Sequence, residues 1–209
     1  MALNRSSQWL CLCAVFALCF TLRIGVGGVI DATVPVVKRA DVYSDIAVNL
    51  ARGHGFVAEA GGEPIIWRAP LYPAFLAAVY ALFGEQNETG VFLTQSALDA
   101  VTAVLIFYLG TRLFGETVGL LSAVSFAVHP LSAYYSLRFL SEPLFTLAFT
   151  AVIAAWIAAV TTRRLMAYLA VGALIAVAAL VKPVALGLWP LLATCVVYQL
   201  RDEPGRALS

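Results

Sequence analysis

Asp41, Asp45, Arg68, Glu142 and Lys182 are ionisable residues set at or beside the ends of apolar runs, far apart along the chain. Three carboxylates and two cations are suitable types for a phosphate site. The cations offset its charge, a divalent metal can join it to the acids, and a carboxylate left over can take a proton from an attacking hydroxyl. Arg68 stands in Trp67-Arg68-Ala69-Pro70-Leu71-Tyr72-Pro73, and Lys182 closes an uninterrupted apolar run just before Pro183. Each residue taken alone also reads as an anchor that snorkels its charge to a membrane interface. The chemistry requires all of them at one place, so the elements that carry them decide the matter.

Those elements are membrane helices. The chain has 209 residues, 62% of them hydrophobic and 12% charged, with mean hydropathy +0.90. A soluble domain carries about half apolar and about a quarter charged residues, so this chain has too little polar surface to coat itself in water. The net charge of +1 supplies no field for nucleic acid. Cys11, Cys13, Cys19 and Cys195 lie in apolar runs with no His at ligand spacing, and read as small hydrophobic filler.

Six apolar runs can span a hydrocarbon core, which takes roughly 17–25 helical residues: Trp9–Ile30, Val91–Leu113, Val118–Tyr135, Pro143–Val160, Leu165–Val181 and Val184–Leu200. The first is long for a signal peptide and lacks a small-x-small cleavage site, so it is expected to be a retained span. Pro70–Phe83 is too short to cross and reads as an interfacial or re-entrant helix. Ahead of it, residues 31–90 form one long polar loop. Within that loop, Asp41–Arg52 has helical spacing, with Val42, Ile46 and Leu50 on one face and Asp41, Asp45, Asn49 and Arg52 on another. This predicts an amphipathic helix lying on the membrane with its acidic side toward water. The expected fold is therefore all-α: a polytopic membrane bundle of about six transmembrane helices in a single domain over 1–209, with juxtamembrane amphipathic helices in the first outer loop.

Short-loop Lys and Arg mark the cytoplasmic side. With the N-terminus inside, Arg112, the Arg163–Arg164 pair, Arg201 and Arg206 are cytoplasmic, and residues 31–90, Ala133–Glu142 and Lys182 are outside. Both termini are then cytoplasmic, although Lys38 and Arg39 fall outside near the first span. Counting Pro70–Phe83 as a full span would place Arg163 and Arg164 outside. Topology thus gathers the five charged residues on the outer side. Asp99, with Gln95 one turn before it, lies inside the second span, where it can bond a neighbouring helix or touch substrate. His54 reads as a flexible loop histidine or as a ligand for metal or acceptor. No Walker loop, Rossmann fingerprint or nucleophile elbow is present.

Five segments occur in order: Asp41-x-Tyr43-x-x-x-Ala47-x-Asn49-Leu50-x-x-Gly53-x-Gly55-Phe56, Arg68-x-Pro70-Leu71-Tyr72-Pro73-x-Phe75-Leu76, Leu109-Gly110-x-Arg112-Leu113-Phe114-Gly115, Ser141-Glu142-Pro143-Leu144 and Val181-Lys182-Pro183. The series resembles the membrane-embedded glycosyltransferases of the GT-C class, in the broad family related to protein O-mannosyltransferases and the aminoarabinose transferase of lipid A. The resemblance implies transfer of a sugar from a polyprenyl-phosphate lipid to an acceptor glycan, lipid or protein on the outer or lumenal face, with inversion at the anomeric carbon. It implies that Asp41 acts as base or orients the acceptor, and that Glu142 fills a second acidic position where relatives often have Asp. Arg68 matches a basic residue on the donor phosphate, and Lys182 a second one near it. Tyr43, Asp45, Asn49, His54 and Tyr72 are the further candidates for substrate contact. A divalent cation, if one is used, would be expected on Asp41 and Glu142.

Members of that family run well beyond twice this length. The expectations that follow are a truncated product, one half of a split enzyme whose second subunit supplies the C-terminal half, or a short relative that keeps the donor site and lost catalysis. Two readings outside catalysis stand beside these: a lipid-binding or assembly subunit, and a small transporter. Against transport, the charges apart from Asp99 cluster at one face, and no inverted repeat is visible. The location expected is the bacterial inner membrane.

Overall fold

A computed structural model describes residues 5–33 and 42–202. Among the described residues the chain is helical without strands: α1 (Arg5–Thr33), α2 (Tyr43–Ala51), α3 (Leu71–Phe83), α4 (Glu88–Phe114), α5 (Glu116–Ala127), α6 (Pro130–Leu137), α7 (Glu142–Thr162), α8 (Leu165–Val181), a 3-10 turn over Pro183–Gly187, and α9 (Leu188–Asp202). Three helices are long and apolar enough to cross a membrane, with spans at Trp9–Thr33, Glu88–Phe114 and Glu142–Thr162. The bent pair α5 and α6 makes a fourth if taken as one span.

The six expected runs are thus all helical, but three of them depart from simple spans. Leu165–Val181 forms α8 with 17 residues and falls among the shorter apolar helices. Val118–Tyr135 is broken, because Pro130 has no N–H to offer the preceding turn and its ring clashes there. The chain turns by 49° between α5 and α6. His129 caps the new helix by accepting from the Ser132 N–H at 3.4 Å. Val184–Leu200 opens with the 3-10 turn after Pro183, leaving α9 with 15 residues. At about 1.5 Å per residue that helix is shorter than a hydrocarbon core of roughly 30 Å.

The bundle is organised around α4, which packs on α1, α5 and α7. Asn87 starts it by accepting from the Gly90 N–H at 2.8 Å, and Gly115, at φ 96°, ends it. The α4–α5 hairpin then closes through two glycines. A β-carbon on Gly110 would lie 2.7 Å from the Gly119 Cα, and one on Gly119 would lie 2.7 Å from the Phe107 carbonyl oxygen. Small residues permit such backbone contact where lipid supplies no hydrophobic drive between helices. The α7–α8 hairpin packs instead through side chains, with Val152 and Ala159 meeting Val171, Ile175 and Ala178. That pairing places the N-terminus of α7 beside the C-terminus of α8.

Helices α2 and α3 form a separate cap. Tyr43, Ala47 and Val48 of α2 pack on Tyr72, Leu76, Val79 and Tyr80 of α3, with Phe139 from the α6–α7 link in the same cluster. This corrects the expected surface helix. Ile46 is buried as predicted, but Val42 and Leu50 are only half-buried, and the buried face is wide enough to include Asn49. Contact with α3, which local spacing does not reveal, rotates α2 toward Tyr43 and Ala47. Helix α3, at 13 residues, keeps the expected short, non-spanning length.

Candidate functional site

Four segments converge on one cavity of about 360 Å³, lined by Tyr43, Trp67, Arg68, Ala69, Leu140, Ser141, Glu142 and residues 181–184. Each arrives for a local reason. Tyr43 opens α2 and is held edge-on to Tyr72, with ring centroids 5.0 Å apart. Arg68 sits two residues before Pro70, the cap of α3. Glu142 lies in the first turn of α7, where the positive end of the helix dipole favours a carboxylate. Lys182 follows α8 in extended backbone ahead of Pro183, which cannot continue the helix.

The Arg68 guanidinium lies over two rings, 4.8 Å from the Tyr43 centroid and 4.7 Å from that of Trp67. Its Nη1 donates to the Tyr43 hydroxyl at 3.4 Å. A guanidinium stacked in this way keeps a fixed orientation and retains in-plane donors suited to phosphate oxygens. Lys182 Nζ donates to Glu142 Oε1 at 2.8 Å, each side chain being about 30% exposed. The second carboxylate oxygen, Oε2, is buried and has no hydrogen-bond partner among the described residues. A second cavity, of about 20 Å³, is lined by Asp99, Phe126, Ser132, Tyr135, Glu142, Pro143 and Thr146, so Glu142 borders both.

Of the residues expected at the site, Tyr43, Arg68, Glu142 and Lys182 are brought together. Asp41 lies outside the described residues, two positions before Tyr43. The others do not line that cavity. Asn49 donates its amide to the carbonyls of Asp45, Val57 and Ala58, at 3.1, 3.2 and 2.9 Å, and so shapes the loop after α2. His54 Nδ1 joins that arrangement at 3.1 Å from Asn49 Oδ1. Tyr72 is buried and donates to Gln95 Oε1 at 2.9 Å, while Asp45 is exposed and does not line the cavity. No group of three or more His, Cys, Asp or Glu residues that could hold a metal exists among the described residues.

Two residues behind the site complete its support. Gln95 donates to the carbonyls of Ser136 and Arg138, at 2.9 and 2.8 Å, fixing the link that leads into Glu142. One turn on, Asp99 accepts from Arg23 Nε at 2.9 Å and from the Ser136 hydroxyl at 2.6 Å. Of the two roles open to Asp99, it takes the helix-to-helix one. Arg23 was not among the expected residues. It is fully buried and also donates to the carbonyls of Phe126, Ala127 and His129, at 2.9, 3.0 and 3.1 Å. The Ala127 carbonyl is left without a backbone donor where α5 breaks, while those of Phe126 and His129 also accept the N–H of His129 and Ala133, at 3.2 and 3.3 Å. A lone cation inside the apolar run Trp9–Ile30 was the signal that could have found it. The cysteines behave as filler where described: Cys19 is buried against Ala100 and Ala103 of α4.

The family model described as dolichyl-phosphate-mannose-protein mannosyltransferase matches residues 67–206, which include Arg68, Glu142 and Lys182. No curated protein and no solved structure shows significant similarity to the chain.

Proposed function

The chain belongs to the dolichyl-phosphate-mannose-protein mannosyltransferase family, an integral-membrane glycosyltransferase family, and from that membership we propose that it moves a sugar from a polyprenyl-phosphate donor to an acceptor hydroxyl at the 360 Å³ cavity. The observation that carries the proposal is the meeting of Arg68, Glu142 and Lys182 at that cavity from three distant segments. In this reading Arg68 and Lys182 hold the donor phosphate. A carboxylate, Glu142 or Asp41, accepts the proton of the incoming hydroxyl. The hydroxyl oxygen bonds to the anomeric carbon as the bond from that carbon to the phosphate oxygen breaks, inverting the centre. Polyprenyl phosphate leaves with the bonding electron pair, and the two cations offset its growing charge.

The same geometry supports an orientation for this reading. Arg163 and Arg164 join α7 to α8 at the end opposite the Glu142–Lys182 pair. By the positive-inside rule this favours a cavity on the outer or lumenal face and termini in the cytoplasm, and the membrane we propose is the bacterial inner membrane. The acceptor and any second subunit belong to the same proposal.

The test is transfer of radiolabelled sugar from a polyprenyl-phosphate donor by purified protein in liposomes, against Glu142→Gln and Asp41→Asn. Turnover that falls at least a hundredfold in one of the two supports the mechanism. Donor binding without turnover would instead assign a lipid-binding role. Unchanged turnover in both variants would remove both carboxylates from the chemistry.

A further inference from the structure

The Lys182–Glu142 pair has a consequence for the order of events at this cavity. Lys182 is the cation best placed to meet a phosphate there together with Arg68, yet its ammonium is already engaged by Glu142 Oε1 at 2.8 Å. Glu142, the cavity's carboxylate among the described residues, has one oxygen on that ammonium and the other buried without a partner. We infer that the donor phosphate and Glu142 compete for Lys182, so that phosphate binding releases the Glu142 carboxylate for proton abstraction. This inference rests on the donor-phosphate reading above.

The geometry of the two cations separates their parts. Arg68 is stacked against Tyr43 and Trp67, which fixes its plane. Lys182 is fixed at its backbone by its N–H on the Ala178 carbonyl at 2.9 Å and by Pro183 after it, and beyond the backbone it is held by the partly exposed bond to Glu142. Its four-carbon stem passes near the Phe145 ring, with Nζ 5.6 Å from the centroid. The ammonium can therefore swing without moving α8. An ion pair with both side chains about 30% exposed is weak, because water screens it. A phosphate held at the same time by Arg68 offers several charged oxygens and displaces the carboxylate.

Once Lys182 turns to the phosphate, Oε1 loses its counter-charge and gains basicity while a donor is in place. Departure of the lipid phosphate lets the pair re-form. The empty site thus holds its own carboxylate neutralised, which orders the reaction as donor before acceptor activation.

The test is a double-mutant cycle on the purified full chain, using farnesyl phosphate as probe and the fluorescence of Trp67 and the other tryptophans as readout. Glu142→Gln should tighten farnesyl phosphate binding by about fivefold, a gain within what a partly exposed ion pair is worth. Lys182→Met should weaken it, and in that background Glu142→Gln should change binding by less than about twofold, since the pair being broken no longer exists. Farnesol, which lacks the phosphate, should respond to neither substitution. Equal gains from Glu142→Gln in both backgrounds would mean simple through-space repulsion and would overturn the competition. So would no gain in either background. Failure of the unaltered protein to bind farnesyl phosphate would sink the donor reading itself, and the inference with it. Lys182→Gln replaces Lys182→Met if the latter does not yield monodisperse protein.

Discussion

Arg23 of α1 and Asp99 of α4 form an ion pair of 2.9 Å in the interior of the bundle, with side-chain exposures of 0% and 3%. The pair does more than join two helices. Its cation also caps the Ala127 carbonyl freed where α5 breaks and adds a second donor to that of Phe126, and its anion receives Ser136 from α6. The broken span is thereby satisfied in an environment where water cannot reach it, the condition under which irregular backbone is tolerated at membrane depth.

Arg23→Leu should therefore be severe. It leaves a buried carboxylate without its cation and the Ala127 carbonyl without a donor, and removing one partner of a buried pair typically costs about 3–5 kcal/mol. Thermal unfolding in detergent should show the loss. Arg23→Leu with Asp99→Leu should recover only part of it, because the Ala127 carbonyl stays open and those of Phe126 and His129 keep only their backbone bonds. Full recovery would show that the carbonyl contacts contribute nothing.

Gln95→Leu should act on the site from a distance. It removes the bond from Tyr72 and the donor to the Ser136 and Arg138 carbonyls, of which Arg138 keeps the Leu140 N–H, and a buried group left unsatisfied costs about 1–3 kcal/mol. Tyr72→Phe removes one of these bonds and should cost about 1 kcal/mol. The measurement is sugar transfer beside thermal stability. Gln95→Leu should lower transfer more than Tyr72→Phe does, since the Arg138 carbonyl lies on the link that positions Glu142.

Gly119→Val should open the α4–α5 hairpin. Its β-carbon would meet the Phe107 carbonyl oxygen and the Thr111 N–H, each at 2.7 Å, and both are backbone atoms that cannot swing aside. Loss of monodisperse protein on size exclusion is the expected result. Gly172→Val is the control, because nothing lies within 4 Å of a β-carbon there.

Arg68→Lys should raise the apparent KM for the lipid donor by about tenfold, with stability unchanged. An ammonium keeps the charge but loses the planar stacking on Tyr43 and Trp67 and the forked donors that a phosphate uses. An unaltered KM would place the donor phosphate elsewhere.

Much of this architecture was legible from residue types and spacing. Apolar runs marked every helix that crosses or could cross, because hydrocarbon demands helical, uncharged segments of a set length. Pro70, Pro130 and Pro183 marked where helices start or break. The grouping of Arg68, Glu142 and Lys182 at one end of the bundle followed from counting spans. The roles of Asn49, His54 and Tyr72 did not, since motif membership cannot tell a residue that meets substrate from one that holds a loop or a neighbouring helix. Arg23 and Gln95 were invisible as a pair of supports for the same reason: their partners lie on other helices.

By itself, then, the sequence determined that this chain is a membrane bundle and that Arg68, Glu142 and Lys182, three of the five charged residues it singled out, collect at one end of it. Those are consequences of local hydropathy and connectivity. Only the tertiary structure decided that Lys182 is bound to Glu142, that Arg68 lies over the rings of Tyr43 and Trp67, and that Arg23 bonds the carbonyls at the break in the third apolar run. These depend on side chains from distant segments meeting within about 3–5 Å, a distance fixed by how the helices pack and not by any one of them alone.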